Sequence, residues 1–116
     1  MKRLVVMRHA DAAGASKDIE RPLSTRGLSQ ATASALELKD VFTPQLVLVS
    51  PALRTRMTSE QLSSVFAWSS DYCQFESVIY NASSSTLSSL LRNVDDSVDD
   101  LLLIGHNPGV SALVNC

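Results

Sequence analysis

The chain is poor in aromatic residues, which make up 5% of its 116 positions. No aromatic-rich basic ribbon accompanies its positive charge, which argues against a nucleic-acid surface. Two cysteines, Cys73 and Cys116, are too few and too irregularly placed for a disulfide scaffold or a zinc site. No apolar run approaches the roughly 18 residues that a membrane helix requires. Residues 1–8 begin like an export signal, but Leu4-Val5-Val6-Met7 is cut off by Arg8. That stretch is too short for export, so a cytoplasmic location is expected. The net charge is only −2, but it is divided unevenly. Residues 1–58 carry nine Lys or Arg against five Asp or Glu, and residues 59–116 carry one against seven. A positive half without aromatic platforms fits a small anion best.

What is present, 45% apolar and 19% charged residues, fits one globular domain over residues 1–116, with no repeat and no internal boundary. Three short apolar runs stand out: Leu4-Val5-Val6-Met7, Leu46-Val47-Leu48-Val49 and Leu101-Leu102-Leu103-Ile104. Unbroken rather than alternating apolar residues predict strands buried on both faces, as in a parallel sheet. Leu28, Ala31, Ala35, Leu38 and Phe42 form a helical stripe opened by Ser24 or Thr25. A second helix is expected from Ser50, with Pro51 at its first position, to about Phe66. Leu87, Leu90, Leu91 and Val94 follow capping serines 83–85 at helical spacing, and a fourth helix is expected from Asn107-Pro108 to Cys116. Residues 67–85 read as a loop or a short strand near 75–78. Strands alternating with helices predict an α/β three-layer sandwich.

Both histidines of the chain fall just past an apolar run, His9 after Arg8 and His106 after Gly105. In an open parallel sheet the carboxyl ends of the strands form the ligand crevice. The strand at 46–49 delivers Arg54 to the same end, in the first turn of the following helix. There a guanidinium adds a planar phosphate donor to free backbone N–H groups. The alternative for Arg54 is a surface ion pair with Glu60 or Asp40. Two fixed positive charges and two imidazoles suit a phosphoryl group. They do not suit a divalent metal, which would want carboxylates or thiolates beside the histidines. Arginine and histidine can neutralise the equatorial oxygens in phosphoryl transfer, and a neutral in-line imidazole can attack phosphorus.

Leu4-Val5-Val6-Met7-Arg8-His9-Ala10 resembles the Arg-His-Gly signature of the histidine phosphatase superfamily, which includes the cofactor-dependent phosphoglycerate mutases. Arg21-Pro22-Leu23-Ser24 with Gly27, the run from Ser50-Pro51 through Arg54 to Glu60, and Gly105-His106-Asn107-Pro108-Gly109 extend the resemblance over essentially the whole chain. Together these motifs are most similar to the SixA-type phosphohistidine phosphatases. The resemblance implies a phosphoglycerate-mutase-like α/β/α sandwich with a mostly parallel sheet, lacking its C-terminal part, since such chains continue past this point. It implies His9 as the phosphorylated nucleophile, with Arg8, Arg54 and His106 forming the phosphate pocket and Arg21 facing the substrate. Arg56, two residues beyond Arg54, is expected to be structural. No metal or other cofactor is expected.

Ala10 stands where the signature has glycine, and a methyl there would crowd a backbone that approaches phosphate. The other departure is the general acid, for which Glu76 is the only carboxylate in the right stretch. Such an acid is typically worth about 10²–10⁴ in rate for an alcohol leaving group. The imidazole of phosphohistidine leaves more readily. A missing acid therefore favours a metal-independent phosphohistidine phosphatase acting on a histidine phosphotransfer domain or a phosphotransferase carrier, with no nucleic-acid or membrane partner. The competing expectations are a small-molecule phosphomonoesterase using Glu76 as acid, and a phospho-binding module that does not turn over.

Overall fold

A computed structural model describes residues 3–114, so Cys116 and the expected end of the last helix lie outside the described residues. The sheet contains β1 (Arg3–Arg8), β2 (Leu46–Val49), β3 (Cys73–Phe75) and β4 (Asp100–Gly105). The strands lie in the order β1-β4-β2-β3, and every pairing is parallel. The helices are α1 (Thr25–Leu38), α2 (Leu53–Phe66), α3 (Ser84–Arg92) and α4 (Gly109–Val114).

Period-two alternation along the inner strands divides the core into two layers. Val47, Val49, Leu102 and Ile104 pack with Ala31, Ala35, Phe42 and Leu62 on the α1–α2 face. Leu48, Leu101 and Leu103 pack with Ile79 and Leu87 on the α3–α4 face. With both faces covered, the inner strands can be apolar throughout, and Leu101 to Ile104 are fully buried. The result is the expected α/β/α sandwich.

Local chemistry sets the helix starts, and three boundaries move from their expected places. Ser24 caps α1 by accepting from the Gly27 amide at 3.0 Å. A Cβ on Gly27 would collide with the Asp11 carbonyl oxygen, so glycine lets the first turn of α1 lie against the loop after β1. Phe42 completes the apolar stripe from beyond the helix end. α2 begins at Leu53 rather than Ser50, because Ser50 continues the β2 ladder, its amide donating to Ile104 O at 3.2 Å. The Ser50 hydroxyl meets His106 as well as accepting from the Ala52 amide at 3.3 Å, and its carbonyl accepts from the Thr55 hydroxyl rather than from a helical amide. α4 begins at Gly109, with Asn107 Oδ1 accepting from the Ser111 amide at 3.1 Å. The short strand of the 67–85 segment lies at 73–75, slightly earlier than expected, and 77–79 is a single 3-10 turn.

Candidate active site

The parallel arrangement brings the carboxyl ends of β1, β4 and β2 together, and each supplies polar groups to one cavity. Arg8 ends β1 and His9 follows it, its amide held by Gly105 O at 3.1 Å. His106 follows β4 directly. Arg54 lies at the second position of α2, behind the end of β2. The cavity is about 600 Å³ and is lined by Arg8, His9, Arg21, Arg54 and His106, five of the six expected site residues. Arg26, Asp11, Asp18, Gln30, Asn81 and Asn107 also line it.

The tautomer of His9 follows from its neighbours. Its Nδ1 lies 2.7 Å from Ala10 O, and a carbonyl can only accept, so Nδ1 carries the proton. Nε2 is left with a lone pair, toward which Arg54 Nε–H is directed at 3.3 Å. Thr58 holds this junction by accepting from the Ala10 amide at 3.1 Å and donating to Arg54 O at 2.8 Å. Ala10 does not have a left-handed backbone; among the described non-glycine residues only Ala67 and Asn81 have positive φ. Its methyl packs against the α1–α2 core, so alanine replaces the glycine of the signature without strain.

The His106 ring faces that of His9, with centroids 5.3 Å apart. Its Nε2 is 2.6 Å from Ser50 Oγ, while Nδ1 is buried without a hydrogen-bond partner. Arg54 is 6% exposed, and its carboxylate partner is Asp18 rather than Glu60 or Asp40. Arg21 donates to Ala13 O at 3.0 Å and faces Asp18 at 3.4 Å. Arg8 and Arg26 are exposed, and among the described residues no hydrogen bond or ion pair engages their guanidinium groups. Arg56 is outside the cavity, over the Phe75 ring.

Glu76 is not brought to this cavity. Its amide continues the sheet by donating to Val49 O at 2.9 Å. Alternation then turns its side chain to the α3 face, where it lines a separate cavity with Gln74, Leu48 and Leu90. Asp18, Tyr80 and Arg26 are absent from the expected site. Asp18 and Tyr80 lie 36 and 62 positions from their bonding partners, Arg54 and Asp18. The only local sign was the spacing of Asp18 and Arg21, three residues apart.

Both imidazoles are held neutral. Burial lowers the His9 pKa, helped by Arg54, Arg8 and Arg21. Burial, then the charge of Arg54 and the nearness of His9, brings His106 down to about 4. Hydrogen bonds from Tyr80 and Arg54 hold the Asp18 carboxyl at about 2.

Residues 4–71 match the model of the histidine phosphatase superfamily, branch 1. The chain belongs to the histidine phosphatase superfamily. It is 31% identical over 110 residues to an uncharacterized protein of Mycobacterium tuberculosis, an alignment covering 92% of this chain. The chain spans 66% of the length of the curated relatives it matches. Among solved structures, it is 31% identical to the SixA protein of Agrobacterium tumefaciens, with a TM-score of 0.91 over 98% of this chain and 75% of that one. It is also 31% identical to the protein histidine phosphatase SixA complexed with tungstate, with a TM-score of 0.87 over 96% of this chain and 73% of that one. The match of residues 4–71 contains Arg8, His9, Arg21 and Arg54, and His106 joins them around the cavity through the fold.

This site ties stability to pH. An unfolded histidine takes up a proton near pH 6.5, whereas His106 resists protonation down to about pH 4. The stabilisation from its neutral form is complete above pH 6.5 and is lost as pH falls through that window. Urea unfolding at pH 7 and pH 4.5 should show a loss of up to about 3 kcal/mol, and His106→Gln should reduce that loss. Loss of the ionised Asp18 occurs in a lower window, between pH 3.8 and about 2.

Proposed function

We propose that this chain is a metal-independent phosphohistidine phosphatase working through a phospho-His9 intermediate. The observation that carries the proposal is the state of His9. It is neutral, protonated on Nδ1, and its Nε2 lone pair, met by Arg54 Nε–H until a phosphoryl group takes that donor, faces a cavity containing four arginines and two aspartates. In the first step a new Nε2–P bond forms in line with the breaking P–N bond of the substrate. The substrate imidazole, protonated on its other nitrogen, leaves as the neutral ring. Arg54 Nε and Arg8 stabilise the charge on the transferring oxygens, and the neutral His106 ring walls the pocket beside His9. In the second step water attacks phosphorus and the P–Nε2 bond breaks. Orthophosphate and His9 result.

The carboxylates support a phosphoramidate over a phosphate ester. Asp18 is ionised at neutral pH and has no proton to give. Asp11 is bonded by the Ser24 hydroxyl at 2.6 Å, and Glu76 lines another cavity. An ester would need a proton on its alkoxide, whereas phosphohistidine needs none from the enzyme. No insertion long enough to close over a small sugar phosphate interrupts the described residues, which suits a phosphohistidine displayed on another protein. A histidine phosphotransfer domain and a phosphotransferase carrier are the expected partner types. The tungstate complex of the similar SixA is consistent with a pocket for a tetrahedral oxyanion.

The test is phosphate release from a panel of phosphohistidine proteins against a sugar phosphate, with EDTA added. Fast, EDTA-insensitive release from phosphohistidine alone supports the proposal, and preference for the ester overturns it. Glu76→Gln should leave turnover within about two-fold of wild type, as for a surface change away from the site. A loss of the 10²-fold order typical of a general acid would restore Glu76 as acid.

A further inference from the structure

None of the chemistry above uses Asp18 as a reactant, yet it lies at the centre of the cation cluster. Its Oδ2 accepts from Arg54 Nη2 at 3.0 Å and from the Tyr80 hydroxyl at 2.5 Å. Its main-chain oxygen accepts from Arg54 Nη1 at 2.7 Å. One residue therefore holds both terminal nitrogens of the guanidinium. The third nitrogen, Nε, is the atom directed at His9 Nε2. Because the guanidinium is a rigid plane, fixing two of its nitrogens fixes the direction of the third.

As a charge, Asp18 opposes the site. A carboxylate beside a dianion pocket repels the ligand and cancels part of the arginine field. Its geometry is what offsets that cost. We propose that Asp18, braced by Tyr80, is a positioning residue that aims Arg54 Nε at the space beside His9 Nε2, where an equatorial oxygen of the phosphoryl group under attack lies. Tyr80 acts through Asp18, and its ring stands edge-on to His106 at 5.5 Å, so one side chain braces both walls of the cluster. The kinetic part of this proposal rests on the phosphatase function above, and the spectroscopic part does not.

The test compares wild type with Asp18→Ala, Asp18→Asn, Tyr80→Phe and the double variant Asp18→Ala/Tyr80→Phe. Asp18→Ala should lower kcat by about 10²-fold, the scale of a misplaced catalytic group, with little change in KM. Asp18→Asn keeps an acceptor oxygen and should recover part of the loss. Tyr80→Phe should give a smaller loss, and the double variant should be no slower than Asp18→Ala alone, because the brace acts through the carboxylate. Tyr80→Phe keeps the ring packing and tests the brace even if Asp18→Ala fails to fold. Independently of turnover, the Arg54 Nε–H proton resonance should be slow to exchange in wild type and broadened by exchange in Asp18→Ala. Unchanged kcat with tighter tungstate binding in Asp18→Ala would overturn the proposal by showing a carboxylate that merely competes with the anion. Losses that multiply in the double variant would overturn the role of Tyr80. A wild type inert toward every phosphoramidate overturns the phosphatase function instead, and an unaltered Arg54 resonance in Asp18→Ala overturns the positioning role.

Discussion

His9→Ala is expected to lower turnover of phosphohistidine on the order of 10⁴–10⁶-fold, the scale seen when a covalent nucleophile is removed. The arginines that remain still gather the phosphoryl group, so KM changes far less than kcat. Nothing else in the cavity replaces the lost lone pair. His106 has Nε2 on Ser50, and its Nδ1 is buried. The fold should survive, because His9 is only half-buried and its strand ends at Arg8. Steady-state phosphate release, with circular dichroism as the folding control, measures the effect. A variant within ten-fold of wild type would place the nucleophile elsewhere.

Arg54→Ala is the second large effect, on the order of 10³–10⁵-fold in kcat, comparable to removal of a charge-stabilising arginine in other phosphoryl transfers. Arg54→Lys should recover only a small part of it. An ammonium keeps the charge, but it cannot bond Asp18 twice and reach His9 in the same plane. The pH profile separates this loss from simple unfolding. Arg54 depresses the pKa values of both His9 and His106, so its removal raises them. The proposed attack requires neutral His9, so the acid limb of kcat/KM should move to higher pH. A parallel drop in rate with no movement of that limb would contradict the assigned electrostatics.

Most of the architecture was legible because it rests on strong local patterns. Unbroken apolar runs of four residues read as β1, β2 and β4 because both faces of the sheet are covered. Ser24 and Ser83 were readable as caps because each accepts from an amide three residues on. The start of α2 was not legible, since Ser50 does accept from the Ala52 amide but its own amide stays in the strand ladder and its hydroxyl also meets His106, 56 positions away. β3 has only three residues at the sheet edge, too few to impose a pattern, and its register decides where Glu76 points.

The same division holds at the site. His9, His106, Arg8 and Arg54 were visible because parallel topology gathers strand ends. Asp18 and Tyr80 were not, because a carboxylate and a phenol in separate loops announce nothing until the chain brings them to Arg54. The superfamily motif and the positive half of the chain point to the anion. The groups that orient its receptor are long-range.

The central claim, that His9 carries the phosphoryl group, is tested most directly by rapid quench of the wild-type chain with a radiolabelled phosphohistidine protein. The expected result is a transient label on this chain, labile to acid and stable to base, that maps to His9 and is absent from His9→Ala. Phosphate release with no label on the chain at any quench time, or an equal label on His9→Ala, would contradict it.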